Sequence, residues 1–202
     1  METKVNSCQI KAVLARWGYT NFFAVEPIGD SGGLLVTWKL EVSLEVLSSS
    51  PIIINTHAIF PQIIATWQIS FVYGDPNRSF KNEVWNDLKQ IEASIDMPCV
   101  VLGDFNEVTH INEKQGGKVK QGNAWRNFKV MIEDCNLIDL RSYGNRYTWS
   151  NHRSGAKLIR QRLNRVLVNS EWNVVYTNAI VFNEVSMGSD HSPIILQCFL
   201  GS

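Results

Sequence analysis

Five strand-like segments crowd into residues 20 to 73, and their spacing limits the fold more than any other feature of the chain. They fall at about 20–26, 33–39, 41–47, 51–58 and 63–73. The connections are too short for the crossover that a parallel pair requires, so antiparallel hairpins are expected. Val42, Leu44 and Val46 alternate with polar residues, which gives that strand one wet face.

Helical periodicity interrupts the strands in a few places. Ile10, Val13, Leu14 and Trp17 predict a helix over 6–17, with Asn6 or Ser7 as N-cap and Gly18 as the stop. Val84, Trp85, Leu88 and Ile91 predict a second over 79–95. Trp125, Phe128, Met131 and Ile132 predict a third, capped by Asn123, and a short fourth is expected near 170–177. Further strands are expected at 99–103, 146–150, 162–168, 178–185 and 193–200. Many strands, few helices and no strict βαβ alternation imply an α+β layered domain. A single domain over 1–202 is expected, since this length suffices for one substantial core.

Composition excludes several function classes. Hydrophobic residues make up 45% of the chain and charged residues 19%, which is globular rather than disordered. The formal net charge is zero, so composition alone does not announce a nucleic-acid binder. Cys8, Cys99, Cys135 and Cys198 are far apart and form no C-x-x-C pair. They read as reduced thiols of an intracellular monomer with no disulfide partner, and Cys99 and Cys198 sit in apolar runs. No signal peptide is visible. The most apolar span, 51–73, is broken by Asn55, His57, Pro61 and Gln62, so no membrane helix is expected. His57 reads as a hydrogen-bonded core residue, and Trp17, Trp85 and Trp125, at helical spacing, as core.

Two polar clusters stand at strand ends. Val100, Val101 and Leu102 form an apolar run that Gly103 closes, and Asp104 and Asn106 follow. In an extended chain these two would project to the same side. That arrangement suits chemistry on a water molecule or a phosphate. Gly-Asp and Asn are also ordinary turn residues, so a plain polar turn stays open. The second cluster is Gly188-Ser189-Asp190-His191-Ser192-Pro193, just before the last apolar strand. A third pattern, Gly29-Asp30-Ser31-Gly32-Gly33, matches G-x-S-x-G but is followed by the strand-like Leu34–Trp38 rather than a helix. No His precedes Ser31, so the chymotrypsin order fails too. Two glycines between two strands read as a hairpin turn.

G-D-x-N followed far downstream by S-D-H-x-P resembles the endonuclease/exonuclease/phosphatase superfamily. The sequence is most similar to the endonuclease domain of plant LINE-type (non-LTR) retrotransposons, which are associated with a reverse transcriptase. The residues that carry the resemblance are Glu2-Thr3-Lys4, Ser31-Gly32-Gly33, Val72-Tyr73-Gly74, Gly103-Asp104-Phe105-Asn106-Glu107, Glu113-Lys114 with Gly116-Gly117, Tyr147-Thr148-Trp149, Arg162-Leu163-Asn164-Arg165 and Ser189-Asp190-His191. They run in the family order.

The resemblance implies a DNase-I-like four-layer α/β sandwich: two mainly antiparallel β-sheets face to face, with helices outside. It implies Mg²⁺- or Mn²⁺-dependent cleavage of a DNA phosphodiester, and hence a nuclear or cytoplasmic location. By resemblance, Glu2 and Asp190 belong to the metal site. Asp104 orients or deprotonates the attacking water, and Asn106 positions it. Tyr73 and His191 contact the phosphate, and Trp149 lies near DNA-facing loops. A hard cation that prefers carboxylates, a positioned water and a histidinium donor are what in-line attack on phosphorus needs. Two departures are expected to weaken or abolish activity. The family's opening strand, which carries an asparagine, is absent upstream of Glu2. The family's R-L-D-R reads Arg162-Leu163-Asn164-Arg165, so Asn164 replaces the aspartate that pairs with the catalytic histidine. A neutral amide accepts a hydrogen bond but gives an imidazolium no counter-charge.

Between His152 and Ser170 there are five basic residues, Arg153, Lys157, Arg160, Arg162 and Arg165, and no acidic ones. Lys114, Lys118 and Lys120 follow the Asp104 strand. Arg160, Arg162 and Lys118 are the expected phosphate contacts on DNA. A solvated basic loop is the competing reading. Three functions stay open: a DNA endonuclease, active or decayed; a non-catalytic nucleic-acid-binding remnant; and a small-phosphoester phosphatase of the same superfamily.

Overall fold

A computed structural model describes residues 7–26, 33–61, 65–75, 78–118, 125–186 and 188–199. In chain order they form α1 (Ser7–Arg16), β1 (Asn21–Val25), β2 (Leu34–Trp38), β3 (Ser43–Ser49), β4 (Ile53–Phe60), β5 (Ala65–Tyr73), α2 (Arg78–Glu92), β6 (Cys99–Asp104) and β7 (Lys114–Gln115). These are followed by α3 (Arg126–Asp134), β8 (Ile138–Asp139), β9 (Ser142–Gly144), β10 (Trp149–Ser150), β11 (Arg160–Gln161), β12 (Asn164–Val168), α4 (Ser170–Val175), β13 (Ile180–Asn183) and β14 (Ile194–Gln197).

The principal sheet has six strands in the order β3-β4-β5-β6-β12-β8. The short connections give antiparallel pairs, as the spacing required. The one parallel pair in this sheet, β5 with β6, is joined through α2, the longest connection between neighbouring strands before β12. Strand alternation divides the side chains between two faces. Val72, Cys99, Val101 and Leu167 point to one face and pack against Val84, Trp85 and Leu88 of α2 and Phe128 and Met131 of α3. Trp67, Ile69, Val100, Val166 and Val168 point to the other and pack against Trp172 and Tyr176 and against Val181 of β13.

A second strand layer covers that inner face. It comprises the β1-β2 hairpin, which packs Leu34 and Val36 on Ile54 and Tyr73, and the β14-β13-β9 sheet. Phe22 alternates with the inward Phe23, and Lys11 of α1 lies over its ring, so α1 forms the outermost layer here. The architecture is thus a DNase-I-like α+β sandwich of four layers. Among the described residues, no helix is long and apolar enough to cross a membrane. Cys99, Cys135 and Cys198 carry free thiols.

Several local expectations need correction. Trp17 is not core but 73% exposed: Leu14 is buried, while Val13 and Trp17 stay at the surface before the chain turns at Gly18. Nε2 of His57 is buried without a hydrogen-bond partner among the described residues. Asn123 lies outside the described residues, and Trp125, directly before α3, makes no side-chain cap bond. The strand expected over 162–168 is β12 preceded by a break. At that break the N–H groups of Leu163 and Asn164 both donate to Oγ1 of Thr148 rather than to a neighbouring strand.

Candidate active site

Three adjacent strands end together at one edge of the sandwich. The parallel register places Tyr73 beside Asp104, and the antiparallel register places Asn164 on the other side of Asp104. All three continue the inward-facing alternation of their strands, so they stand at the mouth of the space between the two strand layers. Gly103 permits this ending. Its φ is +147°, and a Cβ there would run into the carbonyl of Val72.

Asp104 and Asn106 do come together, but not by extended alternation. Asn106 has φ +48°, in the left-handed region. Its N–H donates to Oδ1 of Asp104 at 2.9 Å, and its Nδ2 donates to the carbonyl of Gly74 at 2.8 Å. Nζ of Lys81 reaches from α2 to the Asn106 carbonyl at 2.5 Å and to Oε2 of Glu107 at 2.9 Å. Lys81 and Glu107 are both buried. Phe105, between the two polar residues, stacks with Trp85 and packs at a tilt on Phe128, and so ties the turn to α2 and α3. The turn reading and the functional reading are therefore the same object: a turn held from three sides.

His191 enters from the segment before β14. Its Nδ1 lies 3.1 Å from Oδ1 of Asn164, and its Nε2 lies 3.6 Å from Oδ2 of Asp104. Nδ2 of Asn164 donates to the carbonyl of Ser192 at 3.1 Å, which orients the amide with its oxygen toward the ring. That oxygen is placed to accept from an Nδ1–H, and Nε2 faces the carboxylate side of the site. Asp190 next to it accepts from Nε1 of Trp149 at 3.0 Å.

The basic residues divide. Arg160 is exposed on the small β10-β11-β7 sheet, which also carries Trp149, and exposed Lys118 lies just beyond β7. Arg162, by contrast, turns inward and is only 16% exposed. It bonds Oδ1 and Oδ2 of Asp139, each at 2.8 Å, and Oε1 of Glu113 at 3.0 Å. Fully buried Arg165 grips the same two carboxylates and lies over the ring of Phe128. Arg162 is thus a structural residue rather than a phosphate contact. Burial alone would raise the Glu113 carboxyl, but the Arg165 guanidinium, the Thr109 N–H and Arg162 hold it down to about 2. The same carboxylates push the Arg162 guanidinium up against the opposing effect of its burial.

The oxygen donors of Asp104, Asn106 and Asp190 are of the kind a hard divalent cation takes. Glu2 lies outside the described residues, and among those described no three His, Cys, Asp or Glu side chains group as a metal site. Sequence reasoning gave no role to Lys81, Glu113 or Thr148. Lys81 was visible in principle: it falls at helical spacing on the stripe of Val84, Trp85 and Leu88, where a lysine is out of place.

A family profile described as the endonuclease/exonuclease/phosphatase family matches residues 2–191. The chain belongs to the endonuclease/exonuclease/phosphatase family. No curated protein sequence matches it significantly. Among solved structures, the endonuclease domain of TRAS1, a telomere-specific non-LTR retrotransposon, superimposes with a TM-score of 0.71 at 13% identity, over 99% of this chain and 95% of that one. The AP endonuclease LMAP from Leishmania major gives 0.68 at 15% identity, over 95% and 74%. The 3′ phosphatase NExo from Neisseria, bound to a product DNA hairpin, gives 0.66 at 16% identity, over 98% and 86%. At these identities the superpositions speak to fold. The endonuclease/exonuclease/phosphatase family comprises metal-dependent nucleases and phosphatases, so the Asp104–His191 edge falls within a family whose chemistry is phosphoester hydrolysis.

Proposed function

We propose that this chain is built to nick DNA by hydrolysing a phosphodiester, with turnover held low by Asn164. The observation that carries the reading is the facing pair Asp104 and His191, 3.6 Å apart, with the far ring nitrogen of His191 anchored on Asn164. A reacting oxygen beside this pair could touch both groups. Asp104 would hold the attacking water and take its proton. Asn106, fixed at its N–H, carbonyl and one amide hydrogen, retains Oδ1 to position that water. A protonated His191 would donate from Nε2 to a phosphoryl oxygen, and Tyr73 beside Asp104 would contact the same phosphate. Glu2 and Asp190 are the residues that would hold Mg²⁺ or Mn²⁺, which when bound supplies charge neutralisation at the phosphoryl oxygens.

DNA is favoured over a small phosphoester by exposed Arg160 on β11, exposed Lys118 just beyond β7 and half-buried Trp149 on β10, all beside the site. Asn164 favours a second reading, a DNA-binding protein without turnover. One experiment separates them: nicking of supercoiled plasmid in Mg²⁺, in Mn²⁺ and in EDTA, by this chain and by His191→Ala. Slow metal-dependent nicking that His191→Ala abolishes supports the proposal. Salt-dependent DNA binding with no nicking in either metal selects the binding reading. Hydrolysis of a small phosphomonoester without nicking moves the function to the phosphatase side of the family.

A further inference from the structure

Thr148 joins the segments that carry Asp104 and His191. It is fully buried. Its Oγ1 accepts from Leu163 N at 2.8 Å and from Asn164 N at 2.9 Å. Its carbonyl accepts from Ser192 N at 2.7 Å, and its N–H donates to the Gln161 carbonyl at 3.0 Å. The Ser192 carbonyl in turn accepts from Nδ2 of Asn164 at 3.1 Å. Thr148, Asn164 and Ser192 therefore close a hydrogen-bonded ring across three segments distant in sequence. His191 sits inside this ring's span, one residue from Ser192 and bonded to Asn164. Trp149, the neighbour of Thr148, bridges His191 directly in the backbone.

We infer that Thr148 is a positioning residue for His191: by accepting two N–H groups it fixes where β12 begins, and with it the Asn164 oxygen that selects the His191 tautomer. A side-chain oxygen suits this place because it receives two donors at a buried strand break, and the Asp104 carbonyl opposite Asn164 already accepts from Gly74 N. A valine of the same shape would leave both N–H groups without a partner, and the strand start would shift to find one. The inference rests on the reading that places His191 at the phosphate, but its test needs no DNA cleavage.

The test is the His191 tautomer, read by long-range ¹H–¹⁵N correlation in the full chain at about pH 8.5, where imidazoles are neutral. The unaltered chain should show His191 as the Nδ1–H form. In Thr148→Val the amide spectrum should change only around residues 147–149, 163–165 and 190–193. The Nδ1–H preference should fall by about five- to tenfold, the worth of one hydrogen bond. Thr148→Ser, which keeps the oxygen, should restore it. A folded Thr148→Val that retains the Nδ1–H form undiminished overturns the inference. Should Thr148→Val not fold, Thr148→Ser is compared with Thr148→Cys, whose sulfur is a weaker acceptor. The preference must then drop in the Cys variant, and equal ratios in the two overturn the inference. Loss of plasmid nicking with the tautomer intact would instead count against the nuclease reading alone.

Discussion

The side-chain oxygen of Asn164 lies 3.1 Å from Nδ1 of His191 and gives that ring a partner without a charge. Asn164→Asp should therefore raise Mg²⁺-dependent nicking of supercoiled plasmid by about 10²-fold, in line with the large cost of the reverse change in a protease triad. The new carboxylate can no longer donate to the Ser192 carbonyl, so stability should drop by about 1 kcal/mol. Adding His191→Ala to the Asp variant should abolish the gain. An unchanged rate in Asn164→Asp would show that the amide is not what limits turnover.

Glu113 links acid sensitivity to the loop after the Asp104 strand. Its carboxyl is held at about 2 in the folded chain, below its ordinary value of 4.5. A depressed carboxylate contributes stability that is present in full above about pH 4.5 and is lost as pH falls toward 2. Urea titrations at pH 6 and pH 3 should show a drop for the natural chain and a smaller one for Glu113→Gln. At pH 6 the variant itself should be about 3 kcal/mol less stable, because buried Arg165 and Arg162 lose one of their two carboxylates.

Arg160 and Arg162 are two residues apart and should behave oppositely. Arg160→Ala should leave the melting temperature in place, weaken DNA binding and reduce the slope of log affinity against log salt by about one. Arg162→Ala should cost about 3 kcal/mol of stability through the orphaned Asp139 and Glu113 carboxylates. Equal salt slopes for Arg160→Ala and the natural chain would remove Arg160 from the DNA interface.

Lys81→Met should destabilise the chain by about 3 kcal/mol, since Glu107 is 3% exposed and would lose its buried lysine partner. Lys81→Met with Glu107→Leu should recover much of that loss, because removing both charges of a buried pair is far less costly than removing one. Thermal unfolding of the three chains provides the comparison.

The strands and helices were legible because periodicity survives any tertiary context that buries one face. The five early strands and α2 appear where their alternation and helical spacing put them. Asp104, Asn106, Asn164 and His191 were legible only as a set in family order, and the structure brings them to one edge. Arg162 was misread because a basic run in sequence does not say which side chains face inward. Arg162 and Arg165 both bond Glu113 and Asp139, while Asn164 between them turns to His191. Thr148 was silent for a different reason: it acts by bonding backbone groups remote in sequence, and a one-dimensional pattern carries no record of those.

The last strand of the six-stranded sheet to be synthesised is β12, ending at Val168, and His191 follows later with the β13–β14 hairpin. That same hairpin supplies Val181, Ile194 and Leu196, which cover the face formed by Trp67, Ile69 and Val100. His191 and the cover of that apolar face thus arrive on one stretch of nascent chain. A product of translation that stops after β12 would lack the imidazole and display an uncovered apolar face, and would be prone to aggregate and to engage chaperones.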